Sequence, residues 1–242
     1  MNLPSDSVGQ ASIARGFLLV VAILLPSLGV YSAMYAFPDT VLGQSIFSFC
    51  KLALLILPLA LYFGLDKLSF TDFRRSAFHS PNLRDGLVFN LIVGTLICLG
   101  IYLGYRLLGE ALIDINTFQQ QLDKVGMKDP TKYLLLAAYW TFINALLEEY
   151  FWRWFVVREC EKWLSKNLAI VVSAVGFVLH HTLAMLIYFD WKTALLCSLG
   201  VFIGGLLWSY SYSKYRSIWP GYLSHILIDA IIFYIGWDLL FS

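Results

Sequence analysis

Three stretches of the sequence place ionisable side chains inside otherwise apolar runs, where they are costly. The first is Asn144-Ala-Leu-Leu-Glu148-Glu149-Tyr-Phe-Trp-Arg153, the second Phe177-Val-Leu-His180-His181, and the third His225-Ile-Leu-Ile-Asp229. Two adjacent carboxylates in an apolar helix cost several kcal/mol unless paired, and such groups are candidates for function. Glu149 and Arg153 are four apart and share a helix face, so they form an ion pair. Glu148 points about 100° away at ~3.6 residues per turn and needs a partner from another helix. His180 and His181 face different sides of their helix, so at most one is expected to meet Glu148. His225 and Asp229 are again four apart; an aspartate beside an imidazole fixes its tautomer and raises its basicity. The fourth histidine, His79, lies in a polar loop and reads as solvated.

One carboxylate and two imidazoles support hydrolysis in two ways. Glu148 acts as general base on a water while His181 and His225 orient it or stabilise the oxyanion. Alternatively Glu148, His181 and His225 hold Zn²⁺ with an open fourth position, and the metal activates the water. The residues alone leave both schemes open.

The elements that must position these groups are membrane helices. The chain has 242 residues, of which 59% are hydrophobic and 14% charged, and its mean hydropathy is +0.71. A soluble domain is about a quarter charged. The apolar residues form blocks close to the ~20 needed to cross a bilayer. Seven spans are expected, within a range of six to eight: Gly16–Ala36, Ser45–Leu65, Gly86–Gly109, Tyr133–Val157, Asn167–Tyr188, Thr193–Ser211 and Trp219–Phe241. The fold class is all-α, a polytopic transmembrane helical bundle. Residues 1–132 hold an N-terminal tail, three spans and a long loop, and residues 133–242 form the core that carries the three stretches.

The first apolar run is longer than a signal-peptide core and no A-x-A site follows it, so it reads as a retained span. One alternating set of flanks holds Arg15, Lys67, Arg74, Arg75, Arg84, Arg158, Lys162, Lys166, Lys214 and Arg216, against Arg106, Lys124, Lys128, Lys132 and Lys192 on the other. The richer set puts the N-terminus in the cytoplasm. At ~1.5 Å per residue, Glu148, His181 and His225 lie roughly 10–20 Å from that end, in a cavity of the cytoplasmic half. Gly100-x-x-x-Gly104 and Gly200-x-x-x-Gly204 are expected to let helices approach closely. The pairs Tyr139–Trp140 and Trp152–Trp154 read as lipid or interface aromatics. The four cysteines form no CxxC and read as small apolar residues. A net charge of +1 with no basic run gives no sign of a nucleic-acid partner.

In order, the three stretches resemble the marks of the CAAX protease and bacteriocin-processing (CPBP/Abi) family: EExxxR, FxxxH and HxxxN or HxxxD, each on a hydrophobic helix. The Trp219-Pro220-Gly221 lead-in also fits, and the resemblance covers roughly Leu134 to Phe233. It implies an intramembrane endopeptidase related to the type II CAAX prenyl proteases. Glu148 would activate water, His181 and His225 would line the site, Glu149 and Arg153 would support it, and Phe177 would pack. A glutamate-type mechanism without cofactor is favoured, with Zn²⁺ the alternative. Asp229 stands where the eukaryotic prenyl-protein proteases have asparagine. An ionised carboxylate cannot donate to an oxyanion, so Asp229 either is protonated or acts on His225. The implied partners are the lipid bilayer and a protein or peptide substrate, with or without an attached lipid, in a prokaryotic plasma membrane. The competing readings are a non-catalytic immunity or partner-binding protein and a proton-coupled transporter. A transporter is expected to have repeated halves, and none are present.

Overall fold

A computed structural model describes residues 5–242, with side chains from Ile13 onward; the first four residues of the expected tail lie outside it. Its nine helices are α1 (Ser5–Tyr31), α2 (Val41–Leu59), α3 (Phe70–Phe78), α4 (Leu83–Leu112), α5 (Ile115–Lys124), α6 (residues 130–160), α7 (Lys166–Tyr188), α8 (Trp191–Tyr215) and α9 (Trp219–Phe241). No strand occurs among the described residues. Polar caps mark the starts. The side chains of Thr40, Ser69, Asp114, Asp129, Ser165 and Asp190 accept from the first free amides of α2, α3, α5, α6, α7 and α8. Pro130 and Pro220 sit in the first turns of α6 and α9, where a missing N–H costs nothing.

Six helices are long and apolar enough to cross a membrane: those over Ile13–Ala36, Val41–Leu65, Leu83–Leu112, Lys166–Tyr188, Trp191–Tyr215 and Trp219–Phe241. The chain is therefore an integral membrane protein with a polytopic helical bundle. The seventh expected span corresponds to α6, which differs in kind. It is helical throughout, but Tyr139–Asn144 and Glu149–Val157 are wound as π-helix. Every residue from Glu148 to Val157 is buried. The stretch that carries Glu148, Glu149 and Arg153 is thus enclosed, as the cost of charge in lipid demands.

Helices α2, α3, α7, α8 and α9 pack against α6, and the bundle turns apolar side chains such as Phe17, Leu52, Leu103 and Leu195 outward. Neighbours bond to carbonyls along the π-wound stretches: Ser173 Oγ donates to Trp152 O at 3.0 Å and Tyr222 Oη to Phe142 O at 2.9 Å. A π turn makes i→i+5 bonds and disturbs the regular ladder, and side-chain donors compensate for this inside lipid.

Two packing expectations are corrected. Trp152 and Trp154 are fully buried, not interfacial. Their helix is central, so its aromatics form the core; Trp154 Nε1 donates to Ser76 Oγ at 2.9 Å. The two GxxxG stretches do not mediate close packing, because nothing lies within 4 Å of a Cβ added at Gly100, Gly104 or Gly200. The close approach is made by Gly94, where an added Cβ would sit 2.8 Å from that of Ser224. That contact seats α4 against α9.

The two ends of the bundle differ. At one, Arg15 bonds Asp66 at 2.6 Å and Glu159 at 2.7 Å, and Lys162 reaches Glu159 at 2.7 Å. Tyr62 donates to the same glutamate. Arg216 meets Glu161 at 2.5 Å. These contacts tie together α1, α2, α6 and α8 and gather much of the basic set of flanks. Burial alone would raise Glu159, but the bonds from Arg15, Lys162 and Tyr62 prevail and hold it below the ordinary glutamate range. Asp66 is held low chiefly by its bond from Arg15. At the opposite end the long loop folds into amphipathic α5. Phe118 packs on Tyr188 and Phe189, and Gln119 donates to Leu239 O at 2.8 Å.

Candidate active site

Glu148 sits where α6 passes from α-helical winding into its second π-wound stretch, facing α7 and α9. Its partners come from other helices, as its direction on α6 requires. Oε1 lies 3.6 Å from His180 Nε2, and Oε2 lies 3.7 Å from His225 Nε2. His181 belongs to the same cluster: ligand atoms of Glu148, His180 and His181 all fall within 4.8 Å of one another. The two rings diverge, with centroids 4.2 Å apart, and of the pair it is His180, rather than the expected His181, that approaches Glu148 at 3.6 Å.

Neighbouring groups orient each ring. His181 Nδ1 is 2.8 Å from Phe177 O. A carbonyl only accepts, so Nδ1 carries the proton and Nε2 is left with a lone pair. His180 lies parallel to Trp152, with centroids 5.8 Å apart, and its Nδ1 is buried without a hydrogen-bond partner. His225 stacks on Trp208 at 4.2 Å, and Trp208 Nε1 is fixed by Ser224 Oγ at 2.8 Å.

Glu149 turns the opposite way from Glu148, into the protein. Its Oε1 is 3.4 Å from Arg153 Nε, so the expected i,i+4 pair is present and fully buried. The same oxygen is 3.1 Å from His225 Nδ1. Asp229 Oδ1, in contrast, is 3.8 Å from His225 Nε2, beyond hydrogen-bond range. The carboxylate that orients His225 is therefore Glu149 rather than its helical neighbour Asp229. The Arg153 guanidinium lies over the faces of Phe177 and Trp208, at 4.7 and 5.4 Å. Phe177 thus packs at the centre of the site. A Cβ at Gly221 would fall on Glu149 Oε2, which gives the glycine of Trp219-Pro220-Gly221 a steric reason.

A further residue, Lys51 of α2, escapes a reading that looks only for clusters. Its Nζ donates to Asn144 Oδ1 and lies 4.9 Å from the Trp140 ring centroid. Lys51 and Glu148 line one cavity of about 370 Å³. The signal was available, since Lys51 is the single charge in the second apolar run.

That cavity departs from the expected one. It starts at Glu148, His180 and His181 and is walled by Val30, Phe47, Tyr188 and Phe233, with Phe118 and Leu122 of α5 at its far end. It runs away from the Arg15–Glu159 end toward α5, whereas the sequence places it in the half that carries the basic flanks.

The donors brought together also differ from the expected metal set of Glu148, His181 and His225. His180 stands in place of His225. The three donors fit a divalent ion by type. The Nδ1–H bond of His181 to a backbone carbonyl is the support that metal-bound imidazoles use.

A buried carboxylate with imidazoles beside it, at the end of an apolar cavity within a helical membrane bundle, is an arrangement that can activate water for hydrolysis. Residues 130–231 match the family model described as Type II CAAX prenyl endopeptidase Rce1-like. No curated protein and no solved structure matches the chain. The matched segment spans somewhat under half of the chain and contains Glu148, Glu149, Arg153, His180, His181, His225 and Asp229.

Proposed function

We propose that the chain is a glutamate-type intramembrane endopeptidase whose catalytic core is residues 133–242. The observation that carries the reading is Glu148, buried at the head of the cavity with three imidazoles around it. Glu148 takes a proton from water, and the resulting hydroxide attacks the scissile carbonyl. His181 accepts at Nε2 and orients that water, with His180 beside it. His225, as an imidazolium between Glu149 at 3.1 Å and Asp229 at 3.8 Å, stabilises the oxyanion. The proton held by Glu148 passes to the leaving nitrogen as the C–N bond breaks. Glu149 and Arg153 act by holding His225.

If a metal were bound, Glu148, His180 and His181 would hold it, and it would supply Lewis-acid activation of water. Glu148 would then be a ligand rather than the base. A chelator is expected to leave activity intact; loss restored by Zn²⁺ would select the metal scheme.

The basic set of flanks supports a cytoplasmic N-terminus. In that orientation the cavity faces the outer side of a prokaryotic plasma membrane, and the substrate enters past α5. The apolar walls suit a membrane-associated peptide, including one that carries a lipid. The reading is tested by profiling membrane-protein fragments in cells carrying the wild type or Glu148→Gln. A defined product should vanish in the variant; an identical profile would refute proteolysis.

A further inference from the structure

We infer that Asn90 of α4 is a positioning residue of the active site: through Ser224 it fixes the indole of Trp208, and Trp208 in turn fixes the ring of His225. The consequence for cleavage rests on the protease reading; the coupling of Asn90 to His225 does not.

Asn90 precedes residues 130–231, the segment matched by the family model. It is a side-chain amide inside an apolar span and is only 1% exposed. An amide in that setting is costly unless its groups are bonded. Both hydrogens of Nδ2 are used, one on Gly86 O at 2.9 Å and one on Ser211 Oγ at 2.6 Å. The amide is thereby held with Oδ1 toward Ser224, whose Oγ donates to it at 3.2 Å and to Gly221 O at 3.0 Å. With its single proton drawn to those two oxygens, the Ser224 hydroxyl accepts from Trp208 Nε1–H at 2.8 Å. The indole plane is set by that bond. It lies 14° from the plane of the His225 ring, with centroids 4.2 Å apart. A cation resting on an indole face is stabilised by the ring, so the relay ends on the group assigned to the oxyanion. Glu149 holds the Nδ1 edge of the same imidazole; the indole holds its face. Seating α4 against α9 needs only the close approach at Gly94. The amide adds a direction that packing does not supply.

Indole and imidazole resonances of the full chain in phosphatidylcholine nanodiscs test the relay without requiring cleavage. Tryptophan and histidine are ¹⁵N-labelled, and Trp208→Phe and His225→Gln serve only to assign the two signals. Asn90→Leu should shift both the Trp208 Nε1–H and the His225 signals. Asn90→Ser keeps a hydroxyl for Gly86 O but is shorter on the side of Ser224, and should shift both as well. Ser224→Ala breaks the same link from α9 with the same result expected, and it carries the test if neither Asn90 variant folds. Thr95→Ala, on α4 with its hydroxyl bonded to Leu91 O at 2.8 Å, should move neither signal. Unmoved signals in the folded variants, a shift of Trp208 without His225, or an equal shift in Thr95→Ala would each overturn the proposal. With the substrate that the fragment profile identifies, Asn90→Ser should lower kcat about tenfold or more while KM stays within about twofold. An unchanged kcat would overturn the positioning role. If the profile yields no substrate, the protease reading fails, and the resonances still decide the coupling.

Discussion

Glu148 and Glu149 are adjacent in sequence and opposite in use, because successive helical residues diverge. Glu148 meets the cavity; Glu149 is sealed against Arg153 and His225. Removing one member of a sealed pair strands the other. Arg153→Leu is therefore expected to destabilise the detergent-solubilised protein by about 3–5 kcal/mol, read as a fall in melting temperature; an unchanged melting temperature would argue against the pair. Gly221→Ala acts more locally, pushing Glu149 away from His225. Cleavage should fall on the order of 10²-fold, as for small misplacements of reacting groups, while the melting temperature stays close to that of the wild type. At this scale much was legible. Charge inside an apolar run points to Glu148, Glu149, Arg153, His225 and Asp229. That Glu148 meets His180 rather than His181 was not legible, because divergence by about 100° does not say which face another helix docks against. The Glu149–His225 bond is likewise a meeting of two helices, invisible to any i,i+4 rule.

Among the elements, α6 was readable as a helix but not in its winding. One extra residue per turn leaves no trace in an apolar pattern that is already continuous. The interface-aromatic rule failed on Trp152 and Trp154 for a related reason. It presumes a lipid-facing helix, and α6 is enclosed. The glycine pairs failed in the converse way, since their helix faces meet no neighbour. The cluster of Arg15, Asp66, Glu159 and Lys162 pins helix ends and gives an acid-dependent stability. Both carboxylates are held below their ordinary range. Their contribution is therefore complete above the unfolded values of about 4, and is lost as pH falls through the lower folded values. The melting temperature should be flat from neutrality to about pH 5 and decline below about 4. Arg15→Met should flatten that decline; a variant as acid-sensitive as the wild type would contradict the assignment.

For the whole molecule, the arrangement inverts that of a soluble enzyme: the polar helix is central and apolar faces look outward. The count of spans and the bundle class follow from length and hydropathy, which the bilayer thickness dictates. The direction of the cavity does not, since it depends on where α5 folds back over the ends of α7 and α9. Sidedness is testable on a cysteine-free background. With the N-terminus cytoplasmic, Asp123→Cys at the cavity end should react with a membrane-impermeant maleimide in intact cells. Arg74→Cys should react only after permeabilisation. The reverse pattern would place the cavity toward the cytoplasm. The central claim is that Glu148 drives attack of water on a peptide bond within this bundle. Membranes containing the wild type or Glu148→Gln, incubated in ¹⁸O-labelled water, test it most directly. New carboxyl termini carrying ¹⁸O should form with the wild type and fall by about 10²-fold or more in the variant. Equal labelling from both would contradict the account.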